Sequence, residues 1–355
     1  MRIGVPREIK TLEGRVALVP AAVAQLVAEG HSVLVEQGAG VQSGYDDARY
    51  HAAGAELVAD AAAFYGGAEL IVKVKEPLPE EVALLRKDQL LFSFLHLAAA
   101  TELMQQLREV GLTAVAFETV ETDSGQLPLL APMSDIAGRV AVQVGAHLLH
   151  RPQGGKGILL GGLPAAERGR VVILGAGVAG GNAALLAAAM GAEVTVFDRN
   201  RDKLVHMRAL GNNVTALHPY PDALHEAVVA ADLLIGAVLI PGKRAPHLVS
   251  ADTVREMGEG SAIIDIAVDQ GGCIETTRPT TYADPTFVID GVTHFGVTNM
   301  PGAVPRSASQ ALSAALTPYV SRLAGGDWQA DTELRRGLNV DAGEIIHPAL
   351  QELVI

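Results

Sequence analysis

Two apolar runs separated by a glycine-rich turn and an alanine-rich stretch occupy residues 170–198, which read RVVILGAGVAGGNAALLAAAMGAEVTVFD. No other part of the chain restricts the fold so strongly. The run VVIL suits a strand buried on both faces, and the Ala/Leu stretch from 178 to 190 suits a close-packed helix. Gly175 allows the tight turn after the strand. Gly177 removes a side chain where a backbone can approach a pyrophosphate, and Gly180 lets the helix pack closely on the strand. Val178 then opens a helix whose free N–H groups and positive dipole end favour phosphate. A strand, turn, helix and strand in this order read as a dinucleotide-binding fingerprint. Asp198 closes it with a carboxylate that can accept from the adenosine ribose and would repel a 2′-phosphate, so NAD is expected over NADP. Arg199 and Arg201 beside it leave some NADP tolerance open. Lys203 is either a ribose neighbour or a solvated helix charge.

The chain has 355 residues, more than one average domain needs. Its composition is 49% hydrophobic, 19% charged and 4% aromatic, which supplies large aliphatic cores and argues against long disorder. Strand-like and helix-like runs alternate. Strands are expected at 1–5, 32–36, 69–75, 89–95 and 113–117, with helices at 20–29, 46–53, 80–85 and 101–110. A long helix is expected over 132–150, with Ser134 near its start. Beyond the fingerprint, strands are expected at 214–217, 233–238 and 262–268, and a second long helix over 307–323. This rhythm predicts an α/β protein of two doubly wound parallel-sheet domains joined by two long helices, the second a Rossmann NAD-binding domain. The expected boundaries are 1–128 plus 307–355 for a discontinuous substrate domain and 129–306 for the cofactor domain. The tail has no legible pattern.

A net charge of −13 is a poor match for phosphate backbones, so no nucleic-acid partner is expected. The single cysteine, Cys273, permits neither an intrachain disulfide nor a cysteine zinc cage, and no metal is expected. No apolar signal-peptide core and no 18-residue apolar window are present, so a cytoplasmic protein without a membrane partner is expected.

Ligands of open α/β sheets sit beyond the carboxyl ends of the strands. In the first domain this places Arg15 after the first strand, Lys75 at the end of IVKVK and His96 after LLFSFL. Two cations and an imidazole suit an anionic substrate that undergoes proton transfer, since Arg can grip a carboxylate at two points, Lys adds a point charge and His titrates near neutrality. Each residue also has a plainer reading: Arg15 as a surface loop charge, Lys75 as a solvated strand end paired with Glu76, His96 as a core histidine. In the second domain, Asp269 follows a strand, and the loop containing Asn299 and Met300 is expected to face the same cleft. Asp269 could orient a water or an amine, or simply cap a turn. Asp265, inside the strand, reads as structural.

Seven segments resemble the alanine dehydrogenase/transhydrogenase α-subunit family along essentially the whole chain: MRIGVPREIKTLEGRVALVP, IVKVKEP, FSFLHLA, MSDIAGRVAVQ, VVILGAGVAG, IDIAVDQGG and VTNMPGAVPRSAS. The resemblance to alanine dehydrogenases implies reversible oxidative deamination of L-alanine with NAD. It implies Arg15 and Lys75 as carboxylate binders, His96 as catalytic acid–base and Asp269 as the second catalytic group. It further implies cofactor contacts from Ser134, Gly175, Gly177, Val178, Gly180, Asp198, Lys203, Asn299 and Met300, and a homohexamer. Some relatives carry Arg at position 203. The nearest rival is the NAD-binding domain of proton-translocating transhydrogenase, which lacks equivalents of Lys75 and His96. A non-catalytic NAD-binding module and an amino-acid dehydrogenase of other specificity are the remaining alternatives.

Overall fold

The computed structural model describes residues 1–238 and 246–353. The chain forms two units, Met1–Met133 with Gly302–Ile355, and Ser134–Pro301. In chain order the first unit opens with β1 (Arg2–Val5), β2 (Ser32–Glu36), β3 (Glu56–Val58), β4 (Leu70–Val72), β5 (Leu90–Ser93) and β6 (Thr113–Ala116). The second contributes β7 (Arg170–Leu174), β8 (Glu193–Phe197), β9 (Val214–Leu217), β10 (Leu233–Gly236), β11 (Ala262–Asp265), β12 (Thr286–Ile289) and β13 (Val292–Phe295). The chain then returns to the first unit with β14 (Leu338–Asp341) and β15 (Glu344–Ile345).

The first sheet runs β15-β14-β6-β5-β4-β1-β2-β3, and its central pairs are parallel. The strands LIV and LLFS are buried along their whole length because helices cover both faces. The order places the topological switch point between β1 and β4, where the two halves of the winding diverge and leave a crevice. The second sheet, β12-β13-β11-β10-β7-β8-β9, repeats this plan with its switch point between β7 and β10. Both sheets are mixed at one edge. β14 runs antiparallel to β6, and β12 antiparallel to β13.

Local chemistry explains the short helices. Asp46 and Asp60 accept the backbone N–H groups of Arg49 and Ala63, and Asn200 accepts those of Asp202 and Lys203, so each supplies a partner for first-turn donors. The helix Ala131–Leu148 begins in the last residues of the first unit and continues in the second. A Cβ at Gly138 would collide with the Ala179 carbonyl, so this glycine allows the helix to lie against the start of the fingerprint helix Val178–Ala189. The helix Pro305–Ala324 belongs to the first unit. There the Ser309 and Ser313 hydroxyls accept the N–H groups of Val16 and Val19 at 2.9 and 3.0 Å.

The tail builds the far edge of the first sheet. Val340, Ile345 and Leu350 join Phe64, Leu91 and Leu107 in one apolar cluster. The last two residues, 354 and 355, lie outside the described residues.

Candidate active site

Five of the expected strands end early, and in three of them the difference bears on the polar residues. The strand expected over 69–75 stops at Val72, that over 89–95 at Ser93, and that over 262–268 at Asp265. Lys75, His96 and Asp269 therefore sit on irregular segments beyond the strands, where side chains are not bound to the pleat.

At the first unit's switch point, Arg15 is 3% exposed. It is not a surface charge. Its Nε and Nη2 donate to Glu13 at 2.7 and 2.5 Å, and its Nη1 meets the Met133 sulfur at 3.0 Å. The Nε–Nη2 edge of the guanidinium is therefore held by a buried carboxylate. Lys75 is largely buried, with Nζ 3.7 Å from Glu76 Oε2, so the pairing with Glu76 is present but loose. Burial pulls the Lys75 ammonium below its ordinary range; Glu76 opposes this, and the positive charges of Arg15 and Lys10 add to it.

Beneath Lys75 lies a buried ionic cluster that sequence reading missed. Lys73 is 1% exposed, with Nζ 3.2 Å from Glu8 and 3.1 Å from Glu81. Glu8 also accepts the Val74 N–H at 2.6 Å and the Lys75 N–H at 3.4 Å. Burial pushes the Glu8 carboxyl up, against the pull of Lys73. The carboxylate fixes the backbone that carries Lys75.

His96 is exposed, which overturns the core-histidine reading. Its ring lies parallel to Phe94, with centroids 5.8 Å apart, and its Nδ1 is 3.8 Å from Glu118 Oε1.

In the second unit, the fingerprint turn has the required geometry. Gly175 has φ +97°, a conformation that side chains avoid, and an added Cβ there would lie 2.7 Å from the Ala237 carbonyl. A Cβ at Gly180 would collide with the Gly175 carbonyl. At Gly177 a Cβ would meet nothing within 4 Å, which is the open cradle a pyrophosphate needs beside the helix N-terminus. Val178 is the exposed first residue of that helix. Asp198 follows β8 directly, accepting the Ala176 N–H at 2.8 Å and the Asn200 N–H at 2.8 Å. It ties the glycine turn to the segment that follows β8. Lys203 is exposed in the first turn of the helix Arg201–Arg208.

Ser134 is the fourth residue of the helix Ala131–Leu148. The next residue, Asp135, accepts from Asn182 of the fingerprint helix at 2.7 Å. Met300 is buried, and its carbonyl accepts the Tyr282 hydroxyl at 2.9 Å; Asn299 beside it is half-buried. Burial pushes the Tyr282 hydroxyl up to about 12, so it remains a donor.

Asp269 is exposed, in the short 3₁₀ turn Val268–Gln270. Buried Asp265 closes the surrounding loop. It accepts Ala267 N–H at 3.0 Å, Cys273 N–H at 2.9 Å and the Thr277 hydroxyl at 2.9 Å. Its structural reading stands, with a specific task. Among the described residues no group of three or more His, Cys, Asp or Glu could hold a metal ion, and no helix is long and apolar enough to cross a membrane.

A fingerprint unit with open space at Gly177, and a second α/β unit with two cations at its switch point, fit the class of nicotinamide-type dehydrogenases. Comparison with known proteins narrows the class. The family described as alanine dehydrogenase/PNT matches with its N-terminal domain over residues 4–137 and its C-terminal domain over residues 141–348. Alanine dehydrogenase of Halomonas elongata is 50% identical, covering 99% of this chain and 96% of its own. That of Bacillus subtilis is 49% identical, covering 99% and 94%. An L-alanine dehydrogenase structure matches with a TM-score of 0.97 at 52% identity, covering 100% of this chain and 99% of its own. A transhydrogenase structure from Sinorhizobium meliloti matches with a TM-score of 0.86 at 26% identity, covering 98% and 100%. The chain belongs to the alanine dehydrogenase/PNT family.

Proposed function

We propose that this protein catalyses the NAD-dependent oxidative deamination of L-alanine: L-alanine, NAD⁺ and water give pyruvate, ammonium, NADH and a proton, reversibly. The observation that carries this reading is the placement of two cations, buried Arg15 and largely buried Lys75, beyond strand ends at the first unit's switch point. Two positive charges shielded from water attract a carboxylate strongly, and they sit where ligands of this fold bind. Near 50% identity to alanine dehydrogenases over almost the whole length supports the substrate.

The cradle at Gly177, the helix start at Val178 and the Asp198 carboxylate fit a dinucleotide. Ser134, Gly175, Gly180, Lys203, Asn299 and Met300 complete the proposed set of cofactor residues. When bound, NAD⁺ accepts the hydride from the alanine Cα. Asp198 favours a free ribose hydroxyl over a phosphate, which supports NAD over NADP.

Arg15, one edge held by Glu13, and Lys75 bind the substrate carboxylate and so orient the Cα–H bond. Orientation of this kind can be worth roughly 7–11 kcal/mol of the barrier. His96, with its ring exposed, takes the proton of the attacking water and later returns one to the departing amine. Asp269 orients the water or the amine. In this reading residues 1–128 with 307–355 supply the substrate-binding half, and residues 129–306 the cofactor half. A homohexamer located in the cytoplasm is part of the same proposal, supported by the family and by a single, buried cysteine.

The test is NADH formation measured by absorbance with alanine, glycine, serine or 2-aminobutyrate, using NAD and NADP side by side. Alanine with NAD is expected to be fastest. NAD binding without any alanine-dependent NADH would refute the catalytic reading. Fastest turnover with another amino acid would refute the substrate, since one methylene is worth about 1–3 kcal/mol of discrimination. In Lys75→Ala, kcat/KM for alanine and pyruvate should fall sharply while NADH affinity holds.

A further inference from the structure

His96 sits at φ +50°, in the left-handed region that a residue with a side chain enters at a cost. Such a conformation persists only where surrounding groups hold it. Here one carboxylate does so. Glu118 Oε1 accepts the His96 N–H at 2.5 Å, and both its oxygens accept the Leu95 N–H, at 3.2 and 3.3 Å. The same Oε1 lies 3.8 Å from His96 Nδ1.

Glu118 can do this because of its place in the sheet. It lies in the 3₁₀ turn Phe117–Thr119 that continues β6, the parallel neighbour of β5, with Ser93 opposite Ala116. The carboxylate at one strand end therefore caps the segment leaving the next. Among the described residues no Lys or Arg lies within 4.0 Å of it, so its charge is not consumed by a structural salt bridge. His347, from the tail, also feels this charge. Burial holds the His347 imidazole below its ordinary range while Glu118 opposes the shift.

The Phe94 ring, within 3° of parallel to the imidazole, fixes the ring plane from one side. At 3.8 Å, Nδ1 lies just outside hydrogen-bond range of Oε1; a hydrogen bond formed there would fix the tautomer and leave Nε2 for the reacting proton. We propose that Glu118 is the positioning residue of His96: its carboxylate holds the left-handed backbone and orients the imidazole through Nδ1. This rests on the reading of His96 as the acid–base of alanine deamination.

The test compares Glu118→Gln, Glu118→Asp, His96→Ala and the double variant His96→Ala/Glu118→Gln, with NADH binding and thermal melting followed alongside. Glu118→Gln should lower kcat about 10–100-fold, the usual cost of losing an orienting partner. Its alanine KM should stay within about threefold, because Arg15 and Lys75 are untouched. Glu118→Asp keeps the charge and should fall between the wild type and Glu118→Gln. In the double variant, Glu118→Gln should slow His96→Ala no further, since two residues acting through one proton path are not additive.

A Glu118→Gln enzyme with wild-type kcat beside a disabled His96→Ala would overturn the inference. Full additivity in the double variant, or no recovery in Glu118→Asp, would do the same. Should Glu118→Gln fail to fold, Glu118→Asp decides alone, and wild-type kcat in it overturns the proposal. Normal turnover in His96→Ala is a different result, which removes His96 itself from the mechanism.

Discussion

Replacing Lys73 by Met removes the one cation between two buried carboxylates. Lys73 is 1% exposed, and its Nζ lies within 3.2 Å of both Glu8 and Glu81. Methionine nearly matches the length of the side chain, so the main change is electrostatic. Breaking a buried ion pair from one side costs about 3–5 kcal/mol, because the partner is left charged in a low dielectric. That cost should depend on pH. Burial already pushes the Glu8 carboxyl above its ordinary 4.5, and the lysine is what restrains it. Without Lys73 the folded-state value rises further. A carboxyl whose folded value exceeds its unfolded value favours folding at low pH, and this contribution is lost as pH rises through the folded value.

The variant should therefore be weakest near neutrality and recover as pH falls toward about 5, by roughly 1.4 kcal/mol for each unit by which Glu8 is raised. The chain has a single tryptophan, Trp328, buried in the first unit, so its fluorescence reports unfolding of the unit that holds the cluster. Urea titrations at fixed protein concentration, at about pH 8 and about pH 5, measure the difference. A destabilisation that is the same at both pH values, or below about 1 kcal/mol at the higher one, would refute the reasoning. The lost stability should come with lost activity, because Glu8 also holds the Lys75 backbone.

Gly180→Ala drives a Cβ into the Gly175 carbonyl, so the turn must shift; NADH affinity measured by fluorescence titration should fall on the order of tenfold or more, about 1.4 kcal/mol, with Trp328-detected unfolding unchanged. Asp265→Asn keeps one accepting oxygen and turns its N–H₂ on either the Ala267 N–H or the donors of Cys273 and Thr277; thermal stability should fall by about 1–3 kcal/mol, and kcat should fall with it as the Asp269 turn loosens. Cys273 is fully buried and burial pushes its thiol far up, so a thiol reagent should label it only as fast as the second unit opens, and at once in denaturant.

The parts of the fold visible in the sequence are those whose pattern is local. The strands at 32–36, 170–174 and 214–217 and the helices at 101–110 and 178–189 carry their own periodicity, glycine stops or proline starts. The missed elements lack that. β3 has three residues, and the helices Arg201–Arg208 and Ala251–Glu256 are short and largely polar; Pro221–Val229 does have a proline start, but no glycine marks its end. β13 and β14 are placed by pairing with β11 and β6, far off in the chain, which periodicity does not reveal, although the Asp290–Gly291 turn that joins β12 to β13 is a local hairpin signal. The same divide runs through the site. Arg15, Lys75 and His96 follow from asking what lies beyond each strand end. Glu118 answers the same question for β6, but a carboxylate in a basic site invites no notice until its contact with His96 is seen. Glu13 and Glu8 were hidden for a related reason. Their role is to hold a cation or its backbone, and spacing alone does not say which cation an acid will meet.

The serines of the helix Pro305–Ala324 bear on how the protein is made. The loop that carries Arg15 rests on Ser309 and Ser313, which receive the N–H groups of Val16 and Val19. A ribosome delivers those serines almost 300 residues after the loop, with the whole cofactor unit in between. The nascent chain can therefore complete the contiguous second unit while the Arg15 loop still lacks its scaffold. Maturation of the arginine loop is then one of the last events in biogenesis, after the fingerprint unit has all of its own residues.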